Sequence, residues 1–400
     1  MAKKRKDRLF QFSLKGLDTN LLVILFFVMV FGFIMIYSAS YYTAGLSKAF
    51  NYDSMYLLKN QIIYSCLGIA AMIVVSCINY HFWSHFAVLG YIACGVLVVL
   101  LKSPLGVTVK GATRWLRIGP IQFQVAEPIK LIMIVFMATL IVAKGRHLKS
   151  WASMIRMAFP SGFMAVLLLV LSDNMSTAAI LLGTAVFMIY VVHPEQWKFI
   201  LCAAAVAALI GGILYYVESM DPLEVSEANF RLARIRAWLN PYEYEQDKAF
   251  QSLQGLYAIG SGGLWGKGLG NSIQKLGKIP EPYNDYIFAI ICEELGIFGA
   301  GLIIFLFIYL LYRIYTISQT AEDLLGRMLS IGVFSHIALQ VILNLMVVTG
   351  LFPTTGVTLP FFSYGGTATV FLLIEIGLVL SVNKYSVKKR MDAIREAGLE

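Results

Sequence analysis

The chain of 400 residues is 58% hydrophobic and only 14% charged, with a mean hydropathy of +0.73, whereas a soluble domain carries roughly a quarter charged residues. That composition excludes an ordinary soluble enzyme and predicts a protein built into a bilayer. The net charge of +9 gathers at the ends and in short connections, as in MAKKRKDR and KYSVKKR, which suits orientation in a membrane and leaves no basic groove for nucleic acid.

The apolar run after Asn20 continues through Tyr42 without a small-residue cleavage site, so it predicts a retained first span and not a cleaved leader. Further windows of spanning length fall at 57–77, 85–101, 125–143, 155–172, 175–193, 198–217, 285–312, 328–350 and 366–384, which predicts an all-α, polytopic integral membrane protein of about ten transmembrane helices. The expected organisation is a basic cytoplasmic tail (1–19), a membrane domain (20–384) and a second cytoplasmic tail (385–400). Two connections are long, at 102–124 and 218–284, and loops of that length are usually functional. Lysine and arginine crowd both tails and the 144–156 loop, which places these in the cytoplasm and both long loops outside. Cys66, Cys77, Cys94, Cys202 and Cys292 all lie in apolar segments and read as thiols, not as a disulfide framework.

The unusual polar residues converge on the outer side. Asp285 stands before the span that opens at IFAIICEELG, where a carboxylate either caps the helix or acts as a general base at the bilayer surface. Glu293 and Glu294 follow about 12 Å deeper along a helix, and their cost in the bilayer predicts buried pairing with cations. Glu127 and Lys130 share a helical face at the start of the fourth span, as an ion pair or as a cation held for an anionic substrate. Arg114 and Arg117, in an outer loop, run against the positive-inside bias and suit phosphate. NFRLARIRAWLNP (229–241) predicts an interfacial basic helix with Arg231 and Arg234 on one face. GSGGLWGKGLGNS (260–272) lacks the Walker pattern and reads as a loop letting a bulky substrate approach the backbone. In LPFFSYGG, Pro360, Gly365 and Gly366 break the edge of a span, as happens where backbone lines a cavity. His81 and His85 have metal-ligand spacing but no acidic company nearby in sequence.

These residues are also those by which the chain resembles the SEDS family, the FtsW, RodA and SpoVE proteins of bacterial wall synthesis. IYSAS (36–40), GATRWLRIGPIQFQVAEPIK, RLARIRAWLNP, the stretch from QSLQGLYAIGSGG through PEPYNDYIFAIICEELG, and GVTLPFFSYGG carry the resemblance in order along nearly the whole chain. It implies a ten-helix glycosyltransferase that polymerises lipid II into β-1,4 glycan strands outside the bacterial cytoplasmic membrane, with a class B penicillin-binding protein and other divisome or elongation proteins as partners. The family's catalytic aspartate falls on Asp285 and its charged pair on Glu127 and Lys130. Asp285 would take the proton of the acceptor 4-hydroxyl in an inverting displacement. Arg114, Arg117, Lys130, Arg231, Arg234 or a divalent cation such as Mg2+ or Mn2+ would stabilise the diphosphate, and Lys275, Ser363 and Asp173 join the candidate substrate contacts. Tyr283 and Asn284 stand where many relatives have His and Thr, and the proline of FQVAEPIK follows the glutamate instead of preceding it. GVTLPFFSYGG and PEPYNDYIFA favour the FtsW and SpoVE branch, hence division, over RodA-type elongation. A flippase of the lipid-linked precursor and a non-catalytic scaffold are the rival readings.

Overall fold

The structure, a computed structural model, describes residues 16–109, 111–119, 121–144, 150–220, 230–246 and 249–397. In chain order the helices are α1 (Thr19–Leu46), α2 (Tyr56–Cys77), α3 (Tyr80–His85), α4 (Ala87–Leu100), α5 (Ala126–Lys144), α6 (Trp151–Ser172), α7 (Met175–Val192), α8 (Trp197–Ser219), α9 (Phe230–Leu239), α10 (Phe250–Gly262), α11 (Ile287–Thr320), α12 (Leu324–Val348) and α13 (Gly366–Glu396). Among the described residues, nine helices are long and apolar enough to cross a membrane. The remaining expected pass, 85–101, is the 14-residue α4, preceded across Phe86 by the short α3; at 1.5 Å per residue α4 reaches about 21 Å. Short connections make successive passes antiparallel neighbours. The β-sheet, α9, α10 and residues 349–365 therefore gather at one end of the bundle, the loop-rich end, and the start of α1 and the end of α13 at the other. α13 continues to Glu396, so the described part of the 385–400 tail is helical.

In an apolar medium close packing must replace the hydrophobic effect between helices. α2 runs along α13 with a glycine on each side of the contact: a Cβ on Gly68 would lie 2.5 Å from Leu373 Cδ1, and one on Gly377 would lie 2.8 Å from the Met72 carbonyl. α12 is the centre of the bundle, packed by α5, α7, α11 and α13. α8 is the outlier. Only Lys198 and Val217 on it are buried, and its main neighbour is α9.

The first long loop forms a three-stranded antiparallel sheet, β1 (Gly106–Val109), β2 (Ala112–Ile118) and β3 (Ile121–Gln124), with Trp115 opposite Gln124 and Arg117 opposite Gln122. Gly111 (φ 79°) and Gly119 (φ 61°) lie in its two turns. The five cysteines are free, Cys66 exposed and Cys77, Cys94 and Cys292 buried.

Candidate active site

Asp285 is half-buried in the turn that precedes α11. It does not occupy the cap position: Tyr286 does, and makes no side-chain cap hydrogen bond. Around Asp285 the loop-rich end assembles from distant parts of the chain. Arg114 of β2 donates to the carbonyls of Ser172 (3.4 Å) and Asp173 (2.8 Å), where Asp173 ends α6 in the left-handed region at φ 50°, a conformation that Asp tolerates. Burial pulls the Arg114 guanidinium below its ordinary value, with Asp173 working the other way. Arg234 of α9, exposed on its helix, is lowered by partial desolvation from the surrounding protein and by the charge of Arg114, and raised by that of Asp285. Asp173, Arg114, Arg234 and Asp285 thus form one electrostatically linked group, two carboxylates and two guanidiniums. Tyr283 supports the turn: it packs edge-on against Tyr364 at 6.1 Å and its carbonyl accepts from the Tyr364 N–H at 2.9 Å. Burial pushes its phenol up to about 12, so it stays protonated at neutral pH. Asn284 donates to Glu281 at 2.8 Å.

Glu127 and Lys130 make a 3.0 Å ion pair, each only 6% exposed. Lys130 also donates to Gln340 of α12 at 3.4 Å, and Gln340 donates to the Thr358 carbonyl at 3.0 Å. One turn along, Asn344 donates to the carbonyls of Asp285 (2.8 Å) and Val357 (2.7 Å). One turn the other way, His336 Nδ1 lies 2.7 Å from Glu375 of α13. Below Lys130 a cavity of about 10 Å3 is lined by Ser161, Thr184 and His336 among apolar neighbours. The series His336, Gln340, Asn344 escaped the sequence reading, although polar residues every fourth position in an apolar span put one polar stripe on one helical face.

Glu293 and Glu294, both fully buried, are paired as their cost demands. Lys267 meets Glu293 at 2.7 Å, and Lys275 meets Glu294 at 2.6 Å and Ser38 at 3.0 Å. Glu293 also accepts from Ser272 and from the backbone of Ile273 and Gln274. The glycine-rich stretch is a strap against the chain's own helix on one side, with Leu264, Trp265 and Leu269 exposed on the other. α11 is broken at Gly296 (φ 66°, ψ −164°), and the freed backbone bonds to the strap: Lys267 N–H to Glu293 O, Gly268 N–H to Glu294 O and Ile297 N–H to Gly263 O. A Cβ on Gly296 would sit 2.4 Å from Gly266 N and Leu264 O, which fixes glycine there. Lys275 is committed to this latch.

Of the other candidates, Arg117 is exposed and donates to Gln122 within its own hairpin at 3.0 Å. It lies three residues beyond Arg114, past the bulge that leaves Arg114 without a register partner on β1, and does not share the Ser172 and Asp173 carbonyls that Arg114 reaches. The Ser363 hydroxyl is buried and accepts from the Leu359 N–H at 2.8 Å. The side chain of Arg231 lies outside the described residues. Arg236, not singled out from sequence, caps α8 by donating to the carbonyls of Val217, Glu218 and Met220. His81 lies 2.7 Å from Asp323, and His85 meets the His81 carbonyl. Among the described residues no three or more His, Cys, Asp or Glu side chains gather to hold a metal ion.

A helical bundle with charged pairs buried in its apolar interior and a carboxylate–arginine group at one end defines a polytopic membrane protein with a polar cluster at one end of its helices. The chain belongs to the family of FtsW, RodA and SpoVE, cell cycle proteins, whose family model matches residues 18–388. It is 36% identical to the stage V sporulation protein E of Bacillus subtilis (strain 168), over 92% of this chain and 97% of that one. It is 34% identical to the probable peptidoglycan glycosyltransferase FtsW of Geobacter sp. (strain M18), with the same coverage. In fold it is similar to a chain of a peptidoglycan synthase complex (TM-score 0.73, 23% identity, 93% of this chain and 99% of that one). It is similar also to the rod shape determining protein RodA of Thermus thermophilus (TM-score 0.64, 24% identity, 92% and 97%).

Proposed function

We infer that this chain is a peptidoglycan glycosyltransferase that polymerises lipid II in the bacterial cytoplasmic membrane, in the manner of its FtsW and SpoVE relatives and hence in division. The observation that carries the mechanism is the half-buried Asp285 in the turn before α11, its carbonyl held by Asn344, at the end of the bundle where Arg114 of the sheet is held against the α6 terminus and Arg234 lies on α9. In the reaction, Asp285 accepts the proton of the acceptor sugar 4-hydroxyl as that oxygen attacks the anomeric carbon of the donor. The bond from carbon to the diphosphate oxygen breaks, the diphosphate leaves with the electron pair, and an α-linked donor yields a β-1,4 bond by inversion. Arg114 and Arg234 supply charge where the leaving diphosphate gains it, the role in which guanidiniums are most effective. A divalent ion, Mg2+ or Mn2+, fits Asp285 only with the diphosphate and water as its further ligands, and it would add neutralising charge to the leaving group.

The basic tails and the charged 144–156 loop support an orientation with both termini in the cytoplasm and the site outside. A structural neighbour belongs to a peptidoglycan synthase complex that coordinates polymerization and crosslinking, which supports a class B penicillin-binding protein as partner. The test is lipid II polymerisation by the purified chain, alone and with its penicillin-binding partner. Polymer from the wild type and none from folded Asp285→Asn supports the assignment; equal polymer from both overturns it.

A further inference from the structure

We propose that Asn344 and Gln340 are positioning residues that hold Asp285 and the Glu127–Lys130 pair in fixed relation by clamping both to the Val357–Thr358 backbone. The proposal rests on the reading of Asp285 as the base. Asn344 is fully buried, and its single amide nitrogen donates to two carbonyls that are 72 residues apart in sequence, those of Asp285 and Val357. Gln340, 3% exposed and one turn away, bonds the neighbouring carbonyl of Thr358 with its nitrogen and accepts from Lys130 with its oxygen. A continuous connection results, buried at Asn344, Gln340, Lys130 and Glu127: Asp285, Asn344, the 357–358 backbone, Gln340, Lys130, Glu127.

Two features make this connection more than packing. First, the α11 cap has no side-chain bond, and the bonds at Tyr283 and Tyr286 hold the residues on either side of Asp285; Asn344 is the side chain that acts on the Asp285 carbonyl itself. Second, residues 353–359 have no helix or strand to fix their carbonyls, and Phe361 just beyond is held at φ 63°, so side chains of α12 must set that backbone. A helix acting only as a central strut would carry apolar residues at 340 and 344, since polar groups in the bilayer are expensive and are found where function needs them.

A misplacement of about 1 Å at a reacting group can cost roughly a hundredfold in rate. Removing the clamp should therefore lower kcat while leaving substrate binding nearly unchanged, since a group that only orients the base contributes nothing to ground-state affinity. The experiment measures initial rates against lipid II concentration for the full chain with its partner, in the wild type, Asn344→Leu, Gln340→Leu and Asp285→Asn. Met328→Ala, a buried change at the other end of α12, serves as the control for lost stability. The expected result is a ten- to hundredfold fall in kcat for Asn344→Leu and a smaller fall for Gln340→Leu, with KM within about threefold of wild type. Met328→Ala should keep its kcat per folded molecule. If Asn344→Leu does not fold, the isosteric Asn344→Asp, which presents a carboxylate to both carbonyls, is read in its place with the same expectation. Wild-type kcat in the folded Asn344 variant, or a loss that tracks only the folded fraction, overturns the clamp. An active Asp285→Asn overturns the base reading itself, whatever the Asn344 variants do.

Discussion

Replacing Lys275 by methionine tests whether this lysine serves the fold or the substrate. Its ammonium lies 2.6 Å from Glu294 and 3.0 Å from Ser38, and Glu294 is 0% exposed. After Lys275→Met, Glu294 keeps the Ser38 hydroxyl and the Ser272 N–H at 3.4 Å, two dipoles in place of a full charge. Two unit charges at about 4 Å interact by about 4 kcal/mol at an effective dielectric of 20, and stripping one partner from a buried pair costs about 3–5 kcal/mol. The single variant should therefore lose roughly that much, a drop of roughly 5 °C or more in thermal midpoint. Lys275→Met combined with Glu294→Gln should recover most of it, because no isolated charge remains. The assay is thermal unfolding of the detergent-solubilised chain followed by size-exclusion fluorescence, for the two single variants and the double. An unchanged midpoint in Lys275→Met, or a double variant as damaged as the sum of the singles, would refute a structural pair and return Lys275 to the substrate contacts.

Two further expectations concern the rest of the frame. Arg236→Met leaves the last carbonyls of α8 without their donor, and losing a charged hydrogen bond costs about 1.5–3 kcal/mol; hydrogen exchange should quicken around 217–220, and unchanged protection there would contradict the cap. Asp323 caps α12 by accepting from the Gly326 N–H and also meets His81 and Tyr80. Burial works to raise its carboxyl, but the bonds from His81, Gly326 and Tyr80 outweigh it and hold the group below its ordinary 3.8. A depressed folded value gives stability that is present above 3.8 and fades as pH falls through the folded value. Asp323→Ala should lose about 1 kcal/mol at pH 7, with the gap from wild type narrowing below pH 3.8; a gap constant with pH would contradict this.

What the sequence disclosed followed from how costly charge is in lipid. Glu127, Lys130, Glu293 and Glu294 stood out because each interrupts an apolar run, and all four are buried and paired. Their partners were hidden for a physical reason: Lys267 and Lys275 reach the two glutamates only because α11 breaks at Gly296 and admits the strap, a contact between backbones that side-chain pattern does not encode. The sheet at 106–124 was missed because its strands run only four to seven residues, too short for alternation to declare itself beside ten spans. Recognising it would have separated Arg114, which reaches the Ser172 and Asp173 carbonyls, from Arg117, which stays on Gln122 of its own hairpin. The Asp285 turn stood out in the sequence as a candidate; its anchor on Asn344 did not, since nothing local in PEPYNDY points to residue 344.

Whether Asp285 is the base of a lipid II polymerase is decided by polymerisation with the purified chain and its penicillin-binding partner, Asp285→Asn set against wild type at matched folded amounts and with divalent ions scanned. Glycan polymer from the wild type and none from the variant is the predicted result. Equal polymer from both would contradict the role of Asp285, and silence from both in every condition would contradict the enzyme.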